Sequence, residues 1–257
     1  MQPTQNRAAF VLHSRAYKEN QALLEVLVMD EGRMSLITYK GGKKNSAKNA
    51  LMQPFRPLQI QIKKDSGLRK LVAIDPHPEL TAASVAMSGK ALFCGFYLNE
   101  IICRLCPADA FFPELYESYL ASLQQLSTLE AESERFEVEL QLVLRRFEYR
   151  LLLLLGYGLN LETEVEQGQG ISNEQFYELY PESGFVVVSP SHRAIAGQTI
   201  LQLAELLEGQ IVGDSSGQIG IEQAKPLLTT AKFILRACLH RHLGDKPLKS
   251  RELFRTR

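Results

Sequence analysis

Arg135-Phe-Glu-Val-Glu-Leu-Gln-Leu-Val-Leu-Arg-Arg-Phe-Glu-Tyr-Arg-Leu-Leu-Leu-Leu-Leu-Gly-Tyr-Gly158 is the stretch on which the reading of this chain turns. Phe136, Leu140, Val143, Phe147, Leu151 and Leu154 follow one another at steps of 4, 3, 4, 4 and 3, which is one face of a 3.6-residue helix. Glu137, Gln141, Arg145 and Glu148 form a polar stripe away from that face, and the spacing of Arg145 and Glu148 suits a solvated flank. The run Leu151–Leu155 is apolar all round, so the last turn is expected to be buried on every side. Gly156 supplies the left-handed position that ends a helix, and Ser133 is the expected cap at its start. Other helices are expected to pack around this one. Arg145 and Arg146 sit midway, either as solvated residues of a plain core helix or as cations bordering an apolar groove.

N-terminal to this stretch the period is 2, not 3.6. Ala8–Ser14, Ala22–Met29, Met34–Tyr39, Leu58–Ile62 and Arg69–Ile74 read as strands. Asp30-Glu31-Gly32-Arg33 joins the second and third in a hairpin, with Gly32 at the position that needs a positive φ. A helical turn, Ala47–Met52, lies between the third and fourth strands, and Pro54 and Pro57 stop it. Five short strands with one intervening helical turn suit an OB-type barrel, and an SH3-like barrel has the same strand count. Pro76-His77-Pro78 marks the boundary. Beyond it Ala91–Cys106 and Phe111–Leu129 read as helices, the second with Pro113 in its first turn. After the long helix come an acidic loop, Leu159–Ser172, a small hairpin, Phe176–Tyr180 with Gly184–Ser189, and helices at Gln198–Glu208 and Ile221–Leu243. The expected fold is therefore α+β: an N-terminal OB-type β-barrel (1–78), then a mainly α-helical domain (79–257) with a small β-hairpin insert at about 159–190.

Formal net charge is +0, yet the charges are segregated. Residues 33–72 carry ten Lys or Arg and one acid, whereas 160–184 carry six acids and no base. A basic block in a neutral chain points to a polyanion, nucleic acid above all. Arg33, Lys40, Lys43, Lys44 and Lys48 are the candidate phosphate contacts, since ammonium groups hold phosphate as point charges without reading bases. Phe10, Tyr39 and Phe55 are either stacking surfaces for unpaired bases or barrel core. There is no run of eighteen apolar residues and no apolar leader at Met1–Arg7, so neither a membrane span nor a secretory signal is expected. A cytoplasmic, nucleoid-associated protein follows from these readings.

Catalytic and metal patterns are missing from the sequence. Cys103-Arg-Leu-Cys106 lacks the second ligand pair that a zinc site needs, and it ends a helix where a redox pair would open one. Gly41-Gly-Lys-Lys44 has neither the spacing nor the hydroxyl of a phosphate-binding loop, and Gly156-Tyr-Gly158 lacks the third glycine of a dinucleotide fingerprint. No catalytic residue, metal site or cofactor is assigned.

The segments Phe10–Arg15 with Glu19, Gly32-Arg33, Lys40-Gly41, Leu51-Met-Gln-Pro-Phe55, Arg146-Phe-Glu148, Leu155-Gly-Tyr-Gly158 and Lys246-Pro-Leu-Lys-Ser-Arg-Glu-Leu-Phe254 occur in the order found in the RecO recombination mediators, and the chain resembles that family along nearly its whole length. The resemblance implies a non-enzymatic protein that binds single- and double-stranded DNA and anneals complementary strands. It further implies docking on the acidic C-terminal tail of the single-stranded DNA-binding protein, partnership with RecR, and indirect help in loading RecA during gap repair. Many members carry four zinc-binding cysteines after the Leu-Gly-Tyr-Gly motif. Here Glu162, Glu164 and Glu166 stand in that region without a cysteine, so the insert must hold its shape by other means. For the tail peptide, Arg145, Arg146, Leu142 and Tyr149 offer a cation beside an apolar wall. Two other classes remain in view: a polyanion-binding scaffold that ignores DNA, and a metal-dependent nuclease.

Overall fold

The computed structural model describes residues 5–39, 46–63, 69–209 and 220–254. They belong to two compact units, Met1–Thr128 with Pro247–Arg257, and Leu129–Lys246.

In the first unit, β1 (Arg7–Tyr17), β2 (Gln21–Val28), β3 (Gly32–Tyr39), β4 (Leu58–Lys63) and β5 (Arg69–Pro76) close into a barrel in the order β1-β2-β3-β5-β4. The β3–β5 pair is parallel and the others are antiparallel, with α1 (Ser46–Leu51) between β3 and β4. This is the OB-type closure, and it removes the SH3-like alternative. Alternate residues fill the barrel: Val11, Leu24, Val26, Met34, Leu36, Leu58, Ile60 and Leu71 are all buried in one cluster. Gly32 does take a positive φ of 77°, and a Cβ there would lie 2.1 Å from the carbonyl oxygen of Ala110. Its conformation and its crowding both exclude a side chain.

β1 runs three residues past the expected Ser14, and its register slips between Val11 and His13. That bulge turns the Leu12 carbonyl outward, where it accepts a 2.9 Å hydrogen bond from Asn99 Nδ2. Asn99 lies on α2 (Gly89–Leu105) and is 3% exposed; its Oδ1 accepts the Tyr119 hydroxyl of α3 (Leu115–Thr128) at 2.5 Å. Phe10 packs beside this network on Tyr116 and Tyr119. The outer face of β1–β2 is therefore a second core, covered by α2 and α3. The expected helix from Phe111 starts only at Leu115. Asp109 and Glu114 adopt positive φ, and the Asp109 N–H donates to the Arg33 carbonyl at 2.8 Å, so this segment folds onto the barrel hairpin instead.

The second unit is built on α4 (Phe136–Leu154). Phe136, Leu140, Val143, Phe147 and Leu151 are buried as their spacing requires. Two expectations fail at the ends. Ser133 shapes a preceding turn, accepting the Arg135 N–H on its Oγ, and the cap position is Arg135. In the leucine run Leu153 is 43% exposed and Leu154 and Leu155 are half-buried, because the helix ends on the surface there. Leu155-Gly156-Tyr157 form a Schellman ending: the Tyr157 N–H donates to Leu152 O and the Gly156 N–H to Leu153 O, with Gly156 at φ 78°. The insert holds the hairpin of β6 (Phe176–Tyr180) and β7 (Gly184–Val188), joined by an unforeseen third strand, β8 (Ile195–Ala196). Helices α5 (Gly197–Glu208) and α6 (Ile221–Leu243) pack on α4.

The tail returns to the first unit. Leu248 is buried, and α7 (Ser250–Leu253) docks on α2. The Glu100 carboxylate accepts the backbone N–H groups of Lys249 and Ser250 and the Ser250 hydroxyl, all within 2.9 Å.

Candidate nucleic-acid interface

The strand register gathers cations at one rim of the barrel. Lys63 at the end of β4 faces Lys70 at the start of β5, and Lys70 is level with Ile37 on β3. Two residues further along β3, Tyr39 pairs with Gln21, which in turn pairs with Tyr17 beside Lys18. Lys18, Lys63 and Lys70 are exposed, and Tyr39 is 64% exposed. The Lys63–Lys70 register sets two ammonium-bearing side chains directly opposite one another on paired strands.

The candidate contacts divide. Lys48 is half-buried on α1. Lys40, Lys43 and Lys44 lie outside the described residues. Arg33 does not face solution with them. Its Nε donates to the Cys106 carbonyl at 2.8 Å and its Nη1 pairs with Glu25 at 2.5 Å, while Ser35 Oγ donates to the other Glu25 oxygen. Arg33 thus ties the barrel to the end of α2. Of the three rings, Phe10 is fully buried against α3, and Phe55, at φ 62°, packs edge-on against Phe96 of α2. Tyr39 is the ring that remains outside.

On α4 the expected solvated flank is overturned. Arg145 is 4% exposed and Glu148 0%, and they form an ion pair at 2.7 Å. The cause is a second apolar stripe that the first face hid: Val138 and Leu142 pack with Leu206, Ala224 and Leu228 of α5 and α6, and Arg145 and Tyr149 continue that stripe. Arg145 is therefore not presented to a ligand. Arg146 is half-buried; its Nε donates to the Leu206 carbonyl at 2.9 Å, which caps the end of α5 with a cation, and burial holds its pKa below the ordinary value. The Tyr149 hydroxyl donates to Glu208 Oε1 at 3.0 Å, and burial, then that acid, pushes its pKa up.

In the insert, a carboxylate gathers the chain. Glu164 is 3% exposed; its Oε1 accepts the N–H groups of Gln167 and Gln169 and its Oε2 that of Glu166, at 2.7–2.9 Å. The Gln169 N–H, then those of its neighbours, hold the carboxyl below its usual range against the opposing effect of burial. A side-chain anion thereby gathers the turn that follows it. The Cys103 and Cys106 thiols are pushed up to about 12, mainly by burial, and stay protonated. Among the described residues no three His, Cys, Asp or Glu side chains gather as a metal site, and no helix is long and apolar enough to cross a membrane.

Residues 1–77 match the family model described as Recombination protein O N terminal, and residues 88–252 match Recombination protein O C terminal. The chain is 33% identical to the DNA repair protein RecO of Idiomarina loihiensis, over 96% of each chain. It is 35% identical to that of Pseudomonas putida, over 100% of this chain and 99% of the relative. With the protein of the same name in Methylococcus capsulatus it shares 34% identity over 96% of this chain and 92% of the relative.

Proposed function

This chain belongs to the RecO family of non-enzymatic DNA repair and recombination proteins, and from that premise we propose that it is a mediator of gap repair whose barrel rim holds DNA. It binds single and double strands and anneals complementary ones, docks on the acidic tail of the single-stranded DNA-binding protein, and works with RecR to help load RecA. The observation that carries the DNA assignment is the register that sets Lys63 opposite Lys70 with Tyr39 exposed on the same rim. The basic stretch containing Lys40, Lys43, Lys44 and Lys48 comes next in the sequence after Tyr39. Ammonium groups position the backbone and the phenol ring stacks on an unpaired base.

The test is titration of labelled single strands at several salt concentrations. Replacing Lys48, Lys63 and Lys70 with Ala lowers the slope of log affinity against log salt by about 2, at roughly 0.7 per phosphate contact. An unchanged slope places the DNA elsewhere.

The acidic tail is assigned to the second unit, where half-buried Arg146 adjoins the partly exposed apolar surface of Leu142, Leu206 and Ile221. Tyr149 and Arg145 support that edge from inside. Arg146→Ala weakens a labelled tail peptide by roughly ten- to a hundredfold, the worth of a charge-assisted bond, and leaves binding of naked DNA intact. Equal peptide affinity of variant and parent removes the assignment.

A further inference from the structure

The Leu155-Gly-Tyr-Gly158 segment has so far only ended a helix, yet it presents Tyr157 at 48% exposure. The Tyr157 ring lies parallel to His242 of α6, with centroids 3.7 Å apart and planes 12° from parallel. Together they line a cleft of about 330 Å³. Its other walls are the Pro181–Gly184 turn between β6 and β7, and Arg241, whose guanidinium pairs with Glu182. Burial, then the neighbouring Arg241 charge, holds His242 below its ordinary pKa, so the imidazole is neutral and stacks as a flat ring near neutral pH.

We propose that this cleft takes one unpaired nucleotide of single-stranded DNA, its base stacked on Tyr157, as a contact separate from the barrel rim; the assignment rests on the DNA-binding reading above. The chemistry of the walls selects the ligand. Gly156 and Gly158 expose backbone, so a flat ring can approach closely. Glu182 and the turn around it supply acceptors and donors for a base edge. A base within a duplex is already stacked on both faces and cannot enter. A peptide aromatic ring would want apolar walls, and here only Tyr157, Leu159 and Pro181 are apolar.

The experiment uses the full chain with an oligothymidylate carrying photoreactive iododeoxyuridine. Cross-linked peptides are mapped, and affinity is compared for parent, Tyr157→Phe and Tyr157→Ala. Cross-links in the peptide containing Tyr157 are expected, together with a roughly five- to a hundredfold loss of single-strand affinity in Tyr157→Ala, as for loss of one stacked base. Tyr157→Phe keeps the parent affinity, and duplex binding is the same in all three. Parent-like affinity of Tyr157→Ala, or cross-links confined to other peptides, overturns the proposal. Cross-links to barrel peptides in the same digest report on the rim independently. If Tyr157→Ala loses an aromatic peptide ligand but no oligonucleotide, the cleft belongs to a protein partner and the proposal fails.

Discussion

On the barrel, Lys18, Lys63 and Lys70 stand exposed around one rim, whereas on α4 Arg145 and Glu148 lie buried against each other. Both regions looked alike as sequence: polar residues alternating with apolar ones at a regular period. The difference lies in how many faces each element must cover. A barrel strand has an interior and an exterior, and at the rim nothing covers the exterior. A helix with two packed neighbours has little exterior left, so a charge on its flank goes inside and must take its counter-charge with it.

The largest effect that probes this contrast is loss of the buried pair. Arg145→Ala leaves Glu148 charged and without its ion pair in the interior, and costs about 3–5 kcal/mol of stability, read as a drop in the denaturation midpoint. Joint replacement of Arg145 and Glu148 by Met and Leu recovers most of that loss. If Arg145→Ala unfolds at the parent midpoint, the flank is solvated after all and the contrast disappears.

Arg33 is the barrel's own exception. Arg33→Ala removes the charged bonds to Glu25 and Cys106 O and costs about 1.5–3 kcal/mol. The salt slope of DNA binding stays at the parent value, because Arg33 is already engaged within the protein. A slope reduced by about 0.7 would return Arg33 to the DNA contacts.

The smallest effects are local and set by pH. Burial pushes the Glu100 carboxyl up, but the Ser250 hydroxyl, the Ser250 and Lys249 N–H groups and Arg104 outweigh it, so its pKa in the folded protein lies below 4.5. Glu164 is lowered likewise. A carboxylate depressed on folding contributes fully above its unfolded pKa, and that contribution is lost as pH falls through the lower, folded value. The exchange protection of the amides of Lys249 and Ser250, and of Gln167 and Gln169, relative to an unstructured chain at the same pH, therefore stays high from neutrality down to about 4.5 and falls below it. Glu100→Gln abolishes the pH dependence at the tail alone. Protection that persists well below the carboxylate range in the parent protein would show that these anions do not hold their loops.

Periodicity was sufficient wherever one face of an element meets one core. The five strands, the hairpin with Gly32, the face Phe136–Leu151 of α4 and the Gly156 ending were all legible, because alternation and helical steps are consequences of covalent geometry. The family was legible too, from short motifs spread along the chain. Exposure was not legible where a second surface arrives from distant sequence. Phe10 points out of the barrel, yet Tyr116 and Tyr119, about a hundred residues away on α3, pack on it and it is fully buried. Phe111–Glu114 has helical character but lies against the β2–β3 hairpin instead. Arg145 carries a charge, yet α5 and α6 close over its side of the helix. Local sequence sets which residues share a face. Only the tertiary structure decides how many faces are covered, because burial is a property of the neighbours that arrive and not of the residue that is covered.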